Sequence, residues 1–399
     1  MKVLLNDGMD EEGIELFEIA GIGTDTQKKD QKTLVEVVGD YDALSVRSAT
    51  SVTREIIEAG AKGNLKIVGR AGVGVDNIDD IAASEHGILV KFAPYGNTNA
   101  AAEQALFLMG AVSRNIPQSH YSLKDGIWLK KPFKGVEVSH KTLGIIGCGR
   151  IGQRLSNLVS GLDMGVIGYD AFSDQVKSIF PESRIDYKSK EEVLETSDYV
   201  SIHVGGSGVI IGKQELSMMR PTAYLINTSR GSNVDEEALY EALSTKSIAG
   251  AGLDVHADES KKEGNEFNSR LKGLDNVVLT SHLGASTDEA QKKTSREMAR
   301  VIIGYLLNGD YANAVNAGET IQAEQKPVYP LFVHHKDAPG AFAEIGEVLR
   351  EHNINIRENP SRQIGKDGTA LTVYLLHNPF GSNVIKQLNA LPQVYSAKK

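Results

Sequence analysis

The run Thr142-Leu143-Gly144-Ile145-Ile146 leads straight into Gly147-Cys148-Gly149-Arg150-Ile151-Gly152, and a helical pattern begins near Arg150. Glycines at this spacing constrain a fold only when a strand precedes them and a helix follows, and here both are present. Gly147 then permits a tight turn, Gly149 lets backbone approach a pyrophosphate, and Gly152 lets helix and strand pack closely. The pyrophosphate meets the unpaired N–H groups of the helix start. The next apolar run, VIGYD, ends at Asp170, roughly 20 residues on, where a carboxylate can accept both hydroxyls of an adenosine ribose. Ala171 and Phe172 follow, with no arginine to receive a 2′-phosphate, so NAD is the expected cofactor rather than NADP. A glycine-rich turn with an incidental aspartate is the blander account, and four features in register weigh against it. Cys148 is expected to pack, not to react.

Around this motif, short apolar runs alternate with amphipathic helical stretches, which predicts α/β architecture with parallel sheets. KVLLN, ALSVRS, LKIVGRAG and ILVKFA read as strands near the start, with EEGIELFEIA and TREIIEAGA as helices between them. Residues 97–116 read as one long, mostly apolar helix capped by Asn97 or Thr98, either deeply buried or part of a subunit contact. A second α/β series runs through TLGIIG, VIGYD, YVSIHV, AYLINTS, AGAGLDV and NVVLTSH. A further helix covers about Thr287 to Leu307. Tyr311 to Lys326 is polar and weakly patterned, reads as a linker, and ends at Pro327. The remainder reads β-α-β-β-α-β, the ferredoxin-like split unit, with NINIRENPSR taken as one strand.

With 399 residues, two or three domains are expected, and 41% hydrophobic residues can fill their cores. A net charge of −9 argues against a nucleic-acid partner held by broad phosphate neutralisation, yet leaves room for a small anion met by local arginines. The single cysteine excludes an intrachain disulfide and suggests no cysteine zinc site; no metal is expected. No apolar run approaches the roughly 20 residues of a membrane span, and MKVLLNDGMDEEG lacks a signal peptide's apolar core. A cytoplasmic protein without a membrane partner is therefore expected.

Ligands of open α/β sheets bind at the carboxyl ends of the strands. That rule selects Val204, Ser229-Arg230, Asp254 and Ser281-His282. Oxidation of a 2-hydroxy acid needs a base for the hydroxyl proton, a cation for the carboxylate and a hydride acceptor. His282 is the candidate acid/base, since imidazole titrates near neutrality. Arg230 is the candidate clamp, because its planar fork binds two oxygens at once. Glu259 is placed to orient His282, and Asp254 suits a nicotinamide carboxamide better than chemistry. Taken singly, Arg230 is equally a turn residue, Glu259 part of a solvated charged run, and His203 and His256 compete with His282. Their joint occurrence on successive strand ends favours the site.

These residues carry a resemblance. GRAGVGVDNID (69–79), NTNAAAEQALFLM (97–109), LGIIGCGRIG (143–152), INTSRGSNVDEEAL (226–239), GLDV (252–255) and SHLGAST (281–287) together resemble the D-isomer-specific 2-hydroxyacid dehydrogenases. The resemblance implies Arg230 as carboxylate ligand, Glu259 as partner of the histidine and His282 as proton donor and acceptor. It also implies cofactor contacts at Val73, Arg150, Ile151, Asp170, Val204, Thr228, Asp254 and Gly284, beside Gly147, Gly149 and Gly152. VRSAT (46–50) and GRAG (69–72) resemble the substrate loops of the members acting on 3-phosphoglycerate, which implies Arg47 and Arg70 as further substrate cations. The C-terminal segment resembles an ACT domain, which in such members commonly binds L-serine; His335, Asp337 and Asn355 fall at the matching positions. The chain departs from the family pattern in 203–212, in the long stretch 256–276 with Ser260 where proline is usual, and at Asp337, where asparagine is common.

The expected architecture is a discontinuous flavodoxin-like substrate domain (1–96 and 287–318), a Rossmann-type NAD domain (97–286), a linker (319–327) and an ACT-like regulatory domain (328–399) standing apart. NAD and substrate would lie in a cleft that closes on them, and the helix 97–116 would core one contact of a homodimer or homotetramer. The expected reaction is the NAD-dependent oxidation of D-3-phosphoglycerate that opens phosphorylated serine biosynthesis. The alternatives are the same chemistry on glyoxylate, hydroxypyruvate or 2-oxoglutarate, or a non-catalytic protein that senses NAD(H).

Overall fold

Five parallel strands open the chain: β1 (Lys2–Leu5), β2 (Gly23–Asp25), β3 (Ala43–Val46), β4 (Ile67–Arg70) and β5 (Leu89–Phe92). Their order is β2-β1-β3-β4-β5, the flavodoxin-type arrangement. Val3, Leu5, Ala43, Ile67 and Leu89 bury on one face, and Leu4, Leu44, Val68 and Val90 on the other. Both faces are covered, which is why these strands read as unbroken apolar runs instead of alternating ones. In the computed structural model, residues 1–206, 208–259, 264–311, 314–316, 329–359, 361–364, 368–376 and 378–398 are described. The chain forms two units, 1–96 with 291–399, and 97–290.

The second unit is a seven-stranded parallel sheet of β6 (Thr142–Ile146), β7 (Gly165–Tyr169), β8 (Asp186–Tyr187), β9 (Tyr199–Ile202), β10 (Tyr224–Asn227), β11 (Gly250–Leu253) and β12 (Val277–Leu279). The order is β12-β11-β10-β9-β6-β7-β8, so the direction of winding reverses between β6 and β9, the place where doubly wound sheets bind ligands.

The apolar helix spans Thr98–Ser113 and stops short of the expected end, because Asn115 turns left-handed (φ 50°) and a new helix, Ile116–Lys124, starts with proline in its first turn. Ala102, Ala105, Leu108, Met109 and Val112 join Leu143, Ile145, Tyr199 and Ile226 in one core. Much of its apolar surface is thus buried against its own sheet, while Phe107 stays 64% exposed.

The C-terminal sheet contains β13 (Tyr329–Lys336), β14 (Ile356–Glu358), β15 (Ser361–Ile364), β16 (Thr369–Leu376) and β17 (Val394–Lys398). It is antiparallel in the order β14-β16-β13-β17, with β15 also on β16. NINIRENPSR thus supplies parts of two strands. Helices Ala341–Glu351 and Ser382–Asn389 cover one face through Ile345, Leu349, Val384 and Leu388. On the other face Phe332, Leu371, Val373 and Leu375 share a core with Met298, Ala299, Ile302 and Tyr305 of the helix Asp288–Asn308. Tyr305 and Phe332 meet edge-on, 6.2 Å between centroids. That helix also packs on the β1–β5 sheet, so two sheets sandwich it. A C-terminal segment standing apart, as the sequence suggested, would leave those apolar side chains in water. The proposed linker 319–327 lies outside the described residues. Among the described residues, no helix is long and apolar enough to cross a membrane.

Candidate active site

In the second unit, the functional candidates stand just beyond the carboxyl ends of parallel strands: Gly147 after β6, Asp170 after β7, Val204 after β9, Thr228 to Arg230 after β10, Asp254 after β11 and His282 after β12. Gly147 takes φ 93°, and a side chain there would run into the backbone of His203 at 2.7 Å. Gly152 lies just as close to the Gly147 carbonyl, where an added Cβ would come within 2.5 Å. Gly149 is the N-cap of the helix Arg150–Val159 without any side-chain cap, and a Cβ there would meet nothing within 4 Å. The helix start is thus an open cradle of N–H groups, with Arg150 and Ile151 in its first turn.

Asp170 is fixed at the rim of that cradle. Its Oδ2 accepts the Cys148 amide at 2.8 Å and its Oδ1 the Phe172 amide at 2.9 Å. Thr228 Oγ1 is buried without a hydrogen-bond partner among the described residues. An uncapped helix start, a strand-end carboxylate and an orphaned hydroxyl form a donor and acceptor set that suits a dinucleotide. Cys148 lies beneath, fully buried; desolvation, with the Asp170 charge, pushes its thiol up to about 12, so it packs and does not react.

Two buried asparagines that sequence reasoning missed shape the next loop. Asn227 Nδ2 donates to the Arg230 carbonyl (2.8 Å), and its Oδ1 accepts both the amide and the hydroxyl of Ser229. Asn233 Nδ2 donates to the Val204 carbonyl (2.9 Å) and to Ser229 Oγ (3.0 Å), joining the loops after β9 and β10. The available signal was asparagine at the end of an apolar strand run and again six residues on, in INTSRGSN. Gly231 is required here, since a Cβ would overlap the His256 carbonyl at 1.8 Å. Arg230 Nη1 donates to the Ser229 carbonyl (2.8 Å).

Glu259 Oε2 accepts from His282 Nδ1 at 2.8 Å, while its Oε1 takes the His256 amide at 3.0 Å. Hydrogen bonding to Glu259 raises the His282 imidazole above its ordinary value, against the effect of burial and of the nearby Arg230 charge. Burial alone would push the Glu259 carboxyl up, but the His282 bond and charge and the His256 amide hold it below the carboxylate range. His203 is different: burial pushes it down to about 4, and its Nε2 lies 2.9 Å from Ser201 Oγ. His256 Nε2 is committed to the Thr280 carbonyl at 2.9 Å. Among the described residues, His282 is the one of these three histidines with a carboxylate against its ring. Ser260 lies outside the described residues.

Asp254 is 0% exposed, and its carboxylate accepts from Gln104, Thr280 and Leu283 on Oδ1 and from Gly284 on Oδ2. Gly284 correspondingly spends its amide on Asp254 Oδ2 at 2.8 Å.

In the first unit, Arg47 borders a depression of about 240 Å³ with Asn6, Asp7, Lys28 and Ser48, and its amide donates to Asp7 Oδ2 at 2.7 Å. Arg70 ends β4, where Nη1 reaches the Ala71 carbonyl at 3.5 Å, and Val73 follows in the same unit. Of the three effector candidates, Asp337 and Asn355 are exposed. His335 is corrected: it is 0% exposed, with Nδ1 on the Lys336 carbonyl (2.7 Å) and Nε2 on Thr372 Oγ1 (2.8 Å), so its ring has no nitrogen left for a ligand.

A family model described as D-isomer specific 2-hydroxyacid dehydrogenase, NAD binding domain, matches residues 106–284. A D-3-phosphoglycerate dehydrogenase of Synechocystis sp. is 41% identical over 79% of this chain, which spans 56% of that relative's length. One of Archaeoglobus fulgidus is 35% identical over 98% of this chain and 74% of its own length. Among solved structures, a D-2-hydroxyisocaproate dehydrogenase is similar with a TM-score of 0.67 at 27% identity, covering 79% of this chain and 99% of that one.

Proposed function

This chain belongs to the D-isomer specific 2-hydroxyacid dehydrogenase family and its cofactor is NAD, and from there we propose that it oxidises D-3-phosphoglycerate to 3-phosphohydroxypyruvate. The observation that carries the proposal is the Glu259–His282 pair at 2.8 Å beside Arg230, on a dinucleotide-binding sheet. Bound NAD supplies the hydride acceptor. His282 takes the C2 hydroxyl proton on Nε2, because Nδ1 is engaged by Glu259. Glu259 fixes the ring and stabilises the imidazolium that results. Arg230 binds the substrate carboxylate and, in the reverse direction, polarises the keto oxygen. Thr228 Oγ1 and the amides capped by Gly149 bind the dinucleotide, with Asp170 on its adenosine ribose. Arg47 and Arg70 supply charge for the phosphate end, and the polar depression containing Arg47 and Lys28 supports that role.

The proposal extends to partners. Exposed Ile116, Tyr121, Leu123, Ile127 and Trp128 (82% exposed) support a contact between copies of the chain, as homodimer or homotetramer. The strand order of β13–β17 supports an ACT-like regulatory module. Its proposed effector L-serine would be met by Asp337 and Asn355, with His335 closed to it. The buried, unpaired Cys148 accords with a reducing, cytoplasmic setting.

The deciding experiment is NADH oxidation with 3-phosphohydroxypyruvate, run beside glyoxylate, hydroxypyruvate and 2-oxoglutarate. Preference for the phosphorylated acid supports the proposal. Preference for another acid keeps the mechanism and removes Arg47 and Arg70 as phosphate ligands, and silence with all four favours an NAD(H) sensor.

A further inference from the structure

The loop of residues 47–50, between β3 and the helix Arg54–Ala61, is held from two sides. On one side stands Asp7, just beyond β1. Its Oδ2 accepts the Arg47 amide at 2.7 Å and the Thr50 amide at 3.0 Å, and its Oδ1 accepts the Thr50 hydroxyl at 2.7 Å. The Asp7 side chain is 3% exposed, with Lys28 Nζ 3.5 Å from Oδ1. Buried Asn6 donates from Nδ2 to Thr50 Oγ1 at 2.9 Å, so the hydroxyl of Thr50 both gives and receives. On the other side, Asn77 Nδ2 donates to the carbonyls of Arg47 (2.7 Å) and Thr50 (2.6 Å). Its own carbonyl accepts the Val52 amide at 2.7 Å. The first and last residues of the loop thus have both amide and carbonyl committed. Between these anchors the chain is exposed, and Arg47, Ser48 and Ala49 line the depression.

We propose that Asp7 and Asn77 are positioning residues for an anionic substrate end: they order the 47–50 loop so that Arg47 is presented before the anion arrives. A loop left loose would have to be ordered on binding, and the lost freedom would weaken the complex. The place of Asp7 supports this role. It lines the same depression as Arg47 and Lys28, where a carboxylate opposes an incoming anion. What it contributes there is its bonds: three loop donors converge on it, and the two hydrogens of the Asn77 amide hold the opposite side of the same two residues. Both residues act through Arg47. The inference rests on the reading that Arg47 meets the phosphate end of the substrate.

The test compares Asp7→Asn, Asn77→Ala, Arg47→Ala and the double variant Asp7→Asn with Arg47→Ala in the full chain. Values of kcat and KM are read with 3-phosphohydroxypyruvate and with hydroxypyruvate, which lacks the phosphate. The Arg47 side-chain signal is titrated with inorganic phosphate by NMR. Expected for Asp7→Asn and Asn77→Ala is a rise of about tenfold in KM for the phosphorylated acid, with kcat and the hydroxypyruvate KM within about twofold. On the Arg47→Ala background, Asp7→Asn should add less than about twofold, because its effect passes through Arg47. The sign is informative: removing a negative charge from the depression would by itself tighten anion binding, so weaker phosphate binding reports lost positioning. Tighter phosphate binding in Asp7→Asn, an equal loss with both acids, or full additivity with Arg47→Ala would overturn the inference. If Asp7→Asn does not fold, Thr50→Val decides, with the same pattern expected and Thr50→Ser restoring the KM. Should the unaltered protein show no preference for the phosphorylated acid, the functional proposal fails and the NMR titration decides this one. Phosphate binding at Arg47 that Asp7→Asn weakens then upholds it, and an Arg47 signal that phosphate does not move overturns it.

Discussion

Glu259 grips two histidines with one carboxylate: Oε2 holds the His282 ring at 2.8 Å and Oε1 holds the His256 amide at 3.0 Å. The second bond fixes the carboxylate, so the first fixes the imidazole. With Nδ1 committed, Nε2 is the ring nitrogen left for the proton exchange proposed for His282.

Replacing Glu259 by Gln should therefore lower kcat by about 10²-fold. The sign of its pH effect follows from the raised His282: reduction of a keto acid needs the imidazolium, so activity fails as pH rises through the raised value. Glu259→Gln removes the largest cause of that rise, and the alkaline limb should move to lower pH. Steady-state NADH oxidation between pH 6 and about 10 would check this against reference imidazole behaviour.

Arg230→Lys keeps the charge but loses the planar fork. KM for the keto acid should rise by about 10-fold or more, with NADH affinity unchanged, because a lysine cannot bind a carboxylate with two parallel bonds. Parallel fluorescence titration and substrate saturation would separate the two effects. A matching loss of NADH affinity would argue that Arg230 serves the cofactor.

Asp170 is pinned by the amides of Cys148 and Phe172, so its carboxylate cannot swing away from an incoming 2′-phosphate. Asp170→Ala should narrow the preference for NADH over NADPH by about tenfold, the effect of one unit of charge repulsion removed at short range. Comparing kcat/KM for the two cofactors reads it out.

A cluster of titratable groups sits where the C-terminal sheet meets the β1–β5 sheet. Burial lowers His86 below its ordinary value, helped by Lys398; burial also lowers His334, with His335 and His86 adding to the effect and Glu85 opposing it. Lys398 is itself lowered by burial. Glu85, Glu58 and Arg54 face the same region. Both imidazoles are depressed in the folded state, so their contribution to stability is complete above the unfolded value of about 6.5 and is lost as pH falls below it. Amide protection factors in β13 and β17, exchange rates taken relative to the intrinsic rate at each pH, should fall between pH 7.5 and about 5.5, and His334→Phe should blunt that change. Protection factors independent of pH in this range would exclude the cluster as a weak point.

Phe332 is 1% exposed between the C-terminal sheet and the helix Asp288–Asn308. Phe332→Ala should destabilise the chain by about 3–5 kcal/mol, the usual cost of emptying an aromatic site in a core. Denaturant unfolding would measure it. A separate, unaffected transition for the rest of the chain would show that the C-terminal sheet folds by itself.

How much of this was legible in the sequence depended on how local the signal was. The β6 turn could be read because its glycines act on their immediate neighbours, and the strands because burial on both faces leaves an unbroken apolar run. Arg230 and His282 stood out because each follows a strand end directly. The partners of Asp254 were not legible, because its donors come from Gln104, Thr280 and the 282–284 backbone, none of them adjacent to it in sequence. The helix Thr98–Ser113 posed a related problem: its composition announces burial without saying which surface provides it. Phe332, Leu371, Val373 and Leu375 were visible as apolar positions, yet nothing local reveals that the covering helix belongs to the same chain. His335 was matched by position, and only its partners Lys336 and Thr372 reveal that it is closed.

A helix gripped by sheets on both sides carries two sets of obligations through one short stretch. Around Met298, Ile302 and Tyr305, a change that suits one sheet must also suit the other, so drift in either is felt by both. The C-terminal portion is accordingly a poor candidate for exchange as a detachable cassette: a transplanted version would have to arrive with a recut helix, and the helix with a recut first sheet.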